Sequence, residues 1–162
     1  MTVESTNTPS VVDRTRPVNA GAAIVGAHFL GRTAVFVLGE EALLLVPEQG
    51  EERRIAVHGG GILSAASDGE RVVTGGDDGK VAVTDASGKV EILASDEKRR
   101  WIDRVAVGRD GAVAWSVGKT AMMLDGNGDL RTLEIPSSAG GLAFAPKGVR
   151  LAISHYNGVT LW

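Results

Sequence analysis

Two stretches of this chain, LSAASDGERVVTGGDDG at 63–79 and LAFAPKGVRLAISHYNG at 142–158, superpose without a gap. Gly69 aligns with Gly148 and Gly79 with Gly158, each pair 79 residues apart. A repeat constrains a fold more than any local feature, because each unit must bury its apolar face against its neighbours. The segment between the two copies decides the period. VAVGRDGAVAWSVGKTAMMLD at 105–125 keeps the same order: apolar strand, Asp-Gly turn, apolar strand, Gly turn, apolar strand. Its Asp110-Gly111 follows Asp68-Gly69 by 42 residues and precedes Lys147-Gly148 by 37. The unit is therefore about 40 residues long, the range of a four-stranded propeller blade. A degenerate first copy runs over 24–58.

In the second unit the strands read ILSAASD, RVVTGG, VAVTD and VEILA, separated by DG, DDGK and SGK. Asp-Gly and Asn-Gly tolerate the positive φ angles of tight hairpins. Period-2 alternation puts Leu63, Ala65, Leu142 and Phe144 on one face, and Ser64, Ala66, Ala143 and Ala145 on the other. That second face is uniformly small, which suits strands crowded near a common axis. The expected fold is all-β, a partial β-propeller of about three and a half four-stranded antiparallel blades. Its expected parts are a flexible segment at 1–18, blades at 19–58, 59–98 and 99–138, and an incomplete blade at 139–162.

The 22 glycines and 4% aromatic content agree with short strands and tight turns. A net charge of −3 gives no general attraction to nucleic acid or to anionic membranes, so neither is an expected partner. With no cysteine there is no disulfide framework, thiolate zinc site or cysteine nucleophile. The front, MTVESTNTPSVVDRTRP, lacks the apolar core of a signal peptide. The longest apolar runs, such as ALLLV at 42–46, cannot span a bilayer. A soluble, cytoplasmic protein is the expectation.

Three segments resemble the WD40 repeat family. GGDDGKVAVTD at 75–85 resembles its strand end, Asp-containing turn and closing Trp-Asp pair, with Thr84 in place of Trp and Asp85 keeping the Asp. LAFAPKG at 142–148 resembles the innermost strand and following turn, and NGVTLW at 157–162 the third strand, with Trp162 at the Trp position. The resemblance covers roughly residues 20–162. It implies that strand one of each blade lines a central channel and that the loops before strand one share a face with those between strands two and three. On that face it places His58, Asp77, Asp78, Arg99, Arg100, Trp101, Lys119 and Tyr156 as the candidate partner surface. It implies Thr74, Asp78, Asp85 and Trp162 as structural repeat positions. WD40 blades carry a buried His–Ser/Thr–Asp–Trp network; His58, Thr74 and Asp78 match three places, but Thr84 has no indole donor. The network is thus expected not to form, with His58 capping a turn or facing solvent.

Fragments that imitate chemistry fail on context. HGGG at 58–61 resembles an oxyanion run, but no G-x-S-x-G elbow accompanies it. VGKT at 117–120 ends like a phosphate loop, yet Val113 stands where a glycine is required and a strand follows. DGNGDL at 125–130 starts like a calcium loop, but Leu130 and Pro136 replace its Gly and Glu, so a hairpin turn is expected. His28, His58 and His155 are scattered, so no metal and no cofactor is expected. In DEKRRW at 96–101, Arg and Trp are favoured interface anchors. The expectation there is nonetheless that Trp101 packs at a blade junction while its charged neighbours stay solvated.

WD40 rings usually have seven blades, so the chain is expected to be half a ring: the N-terminal half of a longer, bacterial-type repeat protein, favoured over half of a two-chain ring. The expected function is a non-catalytic scaffold that binds protein partners of unknown identity through its loop face, with a second chain completing the propeller as a further candidate partner. The alternatives are a truncated propeller without independent function, or an enzyme or small-ligand binder with a site at the channel mouth.

Overall fold

The computed structural model describes Val12 and residues 15–162. Among the described residues, fifteen strands form four antiparallel meanders. The first sheet contains β1 (Ile24–Leu30), β2 (Thr33–Leu38), β3 (Ala42–Val46) and β4 (Arg53–Ala56). The second contains β5 (Ile62–Ser67), β6 (Arg71–Gly76), β7 (Lys80–Asp85) and β8 (Val90–Ser95). The third contains β9 (Arg104–Val107), β10 (Val113–Val117), β11 (Thr120–Leu124) and β12 (Leu130–Glu134). The fourth has three strands, β13 (Ala139–Phe144), β14 (Leu151–His155) and β15 (Gly158–Leu161). Strand order within every sheet follows the chain, and the first strands of successive sheets, β1, β5, β9 and β13, pack side by side. This is a partial β-propeller, and the four sheets are its blades.

The turns follow from their side chains. Asp85 Oδ1 accepts the Ser87 N–H at 2.8 Å and the Lys89 N–H at 3.1 Å; Asp125 Oδ1 accepts the Asn127 and Asp129 N–H groups at 2.9 and 3.0 Å. The same carboxylate device thus closes the outer hairpin of two blades, and DGNGDL holds the turn between the third and fourth strands of its blade. VGKT is also a hairpin: Gly118, at φ 57, and Lys119 form a two-residue turn between paired Val117 and Thr120.

The core lies between blades. Leu30, Val35, Val37, Leu43 and Leu45 of the first blade meet Ile62, Val72 and Ala82 of the second. Val73 and Val81 of the second meet Val113, Trp115 and Val117 of the third, with Ile102 between them. Ala114, Ala121 and Met123 of the third meet Leu151 and Ile153 of the fourth, and Phe144 and Trp162 pack on the same cluster. The opposite face of the first blade, with Leu38, Ala42, Leu44 and Val46, is lined by Val18, Ala20 and Ala22 of the segment leading into β1. Of the segment expected to be flexible, residues 1–11, 13 and 14 lie outside the described residues.

Candidate functional site

Backbone hydrogen bonds tie the loops between blades to the hairpins between second and third strands, placing both on one face. Val57 and His58 donate to the Glu41 carbonyl at 2.8 and 3.1 Å, Asp96 to Gly79 at 2.8 Å, and Ile135 to Lys119 at 2.9 Å. Tyr156 N–H donates to Ser137 Oγ at 3.0 Å, continuing the pattern into the fourth blade. The three inter-blade loops differ in length: 57–61 and 135–138 are short, whereas 96–103 is the longest.

The first of these loops turns inward. His58 Nδ1 lies 3.0 Å from Asp78 Oδ1 and its Nε2 lies 2.8 Å from Thr74 Oγ1, with all three residues buried. Asp78 Oδ2 accepts the Gly59 N–H at 3.0 Å and Oδ1 the Lys80 N–H at 3.1 Å. Burial works against ionisation of Asp78, but these N–H groups and the His58 ring outweigh it and hold the carboxyl below the usual carboxylate range. An ionised carboxylate only accepts, so Nδ1–H is the donor, and Nε2 shares a hydrogen bond with the Thr74 hydroxyl. Two expectations are corrected here. The network forms without an indole, because its three members satisfy one another; the hydroxyl of Thr84, where the family has Trp, is buried with no partner. His58 and Asp78 accordingly leave the candidate partner surface, since neither is accessible to one.

The second loop turns outward. Asp96 clamps Arg100 with carboxylate contacts of 2.7 Å to Nη2, 3.2 Å to Nε and 2.9 Å to the backbone N–H. The clamp also holds the Asp96 carboxyl below its usual range, chiefly through the Arg100 side chain. Arg99 adopts a left-handed backbone, φ 53, and its N–H donates to the Asp96 carbonyl at 2.9 Å. Three residues on, Ile102 is fully buried and its N–H donates to the Gly76 carbonyl at 3.1 Å. Between clamp and anchor Trp101 is 61% exposed, which corrects the expectation that it packs at a blade junction. Ile102 fills that junction instead, and the indole is left on the surface. Arg100 is engaged with Asp96, so it positions this loop, while Arg99 and Lys119 are exposed cations and Tyr156 is 88% exposed. Asp77 is half-buried, its carboxylate lying against the glycines of HGGG, which form the inter-blade loop.

Sequence reasoning missed Asp96 and Ile102 as the residues that present Trp101. The signal for the first was present in the i, i+4 spacing of Asp96 and Arg100. Of the expected repeat positions, Thr74 lies in the buried network, Asp85 accepts in its turn, and Trp162 pairs through its backbone with Leu151. Among the described residues no group of three or more His, Asp or Glu could hold a metal ion, and no helix is long and apolar enough to cross a membrane.

No protein-family model matches the chain, and no curated protein sequence matches it. Solved structures do. A streptogramin B lyase superposes with a TM-score of 0.62 at 9% identity, covering 76% of this chain and 45% of that one. Selenomethionine-substituted virginiamycin B lyase from Staphylococcus aureus superposes with a TM-score of 0.63 at 14% identity, covering 89% of this chain and 56% of that one. The chain thus spans about half the length of the structures it matches, and at these identities the likeness is one of fold. It overturns the expectation that the chain is not an enzyme. That expectation rested on architecture, and two structures that share the architecture are lyases.

Proposed function

We propose that this propeller is a WD40-like binding platform that takes a protein partner on the face formed by its inter-blade loops and second hairpins. Trp101 carries the reading. A large aromatic side chain 61% exposed on a loop fixed at both ends is presented to a partner at little ordering cost. Arg99 beside it and Lys119 on the same face favour an acidic partner surface, and Tyr156 adds a second exposed aromatic. The test is affinity capture with quantified stoichiometry. A partner held near one-to-one by the native protein should be lost at least about tenfold with Trp101→Ala, the penalty of a hot-spot truncation. Unchanged capture by that variant would remove the loop face from consideration.

The likeness to lyases supports a second reading, a propeller that acts on a small molecule at its channel side. The two readings place their ligands on different surfaces, so single substitutions tell them apart.

A further inference from the structure

The outer rims of the first two blade junctions differ. Between the first and second blades the rim is closed: Arg53 of β4 donates to the Ser87 and Ala86 carbonyls at 2.6 and 3.1 Å. Ile55 of β4 and Val90 of β8 both pack on the core between those blades. Between the second and third blades, no hydrogen bond among the described residues joins β8 to β12. A groove of about 500 Å³ opens there instead.

Sheet register fixes which side chains line it. Trp115 pairs with Met122 and Met122 with Thr132, a row running outward along the face of the third blade that packs on the second. On the same face Thr120 pairs with Glu134, and Thr120 Oγ1 donates to Glu134 Oε1 at 3.1 Å. Leu124 pairs with Leu130 there too, and Leu130 is 59% exposed. Ile102 and Trp115 are buried at the floor, with Met122 half-buried beside them. The Trp115 indole N–H has no hydrogen-bond partner among the described residues.

Three carboxylates and two cations border this floor: Asp96, Glu97 and Glu134 against Lys98 and Arg100. Asp96 and Arg100 are engaged with each other. Glu97 and Lys98 are adjacent, exposed residues of the loop. Glu134 is left over, with Oε2 free of any hydrogen bond among the described residues. An apolar floor with a few polar groups, at this volume, is the composition of a small-molecule site, and the surplus carboxylate selects the sign of the ligand's charge.

We propose that the groove between the second and third blades binds a small amphiphilic organic cation, an aryl- or alkylamine, with its apolar body on Ile102, Trp115 and Met122 and its ammonium paired with Glu134. The site is on the outer rim and rests on neither the loop-face reading nor the channel-side one.

2-Phenylethylamine serves as the probe, with 2-phenylethanol as its neutral counterpart and 3-phenylpropanoate as the anionic one. Each is followed at neutral pH by NMR shifts of the Trp115 indole N–H and the Met122 methyl group. The amine should give saturable shifts at both. The alcohol should bind about two- to fivefold more weakly, the range of one partly exposed ion pair, and the carboxylate more weakly still. Glu134→Gln keeps an acceptor for the Thr120 hydroxyl and should erase the preference for amine over alcohol. Trp101→Ala should leave the preference unchanged, which separates this site from the loop face. Absence of saturable shifts at Trp115 and Met122 overturns the proposal. So does equal affinity for amine and alcohol in the native protein, or a preference that survives Glu134→Gln.

Discussion

The junction between the first and second blades and the junction between the second and third solve one problem with opposite chemistry. At the first, the inter-blade loop sends His58 inward to Thr74 and Asp78. At the second, the loop sends Ile102 inward among Val73, Val81, Trp115 and Val117. A polar lock needs every member satisfied and loses most when one is removed. An apolar lock needs volume and shape, and loses in proportion to the cavity left. The loops differ accordingly. The polar junction uses a short loop with no exposed aromatic, whereas the apolar one uses the longest loop and carries Trp101 outward.

The contrast can be broken at several points, the largest effect first. Trp115→Ala should cost about 3–5 kcal/mol, and Ile102→Ala about 2–5 kcal/mol, in urea unfolding, each scaling with the cavity created. A loss under about 1 kcal/mol at both would mean that this junction is not held by packing. His58→Ala should cost about 1–3 kcal/mol, because Asp78 and Thr74 then lose a partner while remaining buried. Combining it with Asp78→Asn should be clearly less than additive, since the two residues share one network.

Acid sharpens the same contrast. The folded-state pKa of Asp78 is depressed, so its contribution is complete above the unfolded carboxyl value near 4 and is lost as pH falls through the folded value. Asp68, Asp85 and Asp96 are depressed as well and give the native protein a common acid slope. Asp78→Asn should flatten that slope in unfolding curves between pH 5.5 and 3, while Ile102→Ala should lower stability at every pH without changing it. The smallest effect belongs to Thr84. Its buried hydroxyl has no partner, so Thr84→Val should be neutral or stabilise by up to about 1 kcal/mol in thermal melts. Marked destabilisation would show that the hydroxyl is bonded after all.

The period and the strands were legible because turn chemistry is local. Asp-Gly, Asn-Gly and Gly-Lys pairs mark hairpins whatever surrounds them, and the strands between them alternate as the sheets require. The network was not legible, because a reading that demanded Trp at position 84 treated four groups as one unit. Three of them close a circuit alone once His58 is buried. The exposure of Trp101 was hidden for another reason. Which of two adjacent apolar residues turns inward depends on loop length and on a left-handed turn at Arg99, a residue type that rarely advertises one.

Both locks meet on one dipeptide. A Cβ on Gly75 would sit 2.6 Å from Ile102 Cγ2, and one on Gly76 would sit 2.4 Å from His58 Nδ1. Adjacent residues of β6 face opposite sides of the sheet, so each lock presses on the same two-residue span from its own side. In hydrogen exchange, then, the amides around Gly75 and Gly76 should open only when both junctions open, and they should be among the slowest in the molecule. The two junctions would exchange as one cooperative unit, with the glycine pair as the point where their fluctuations are correlated.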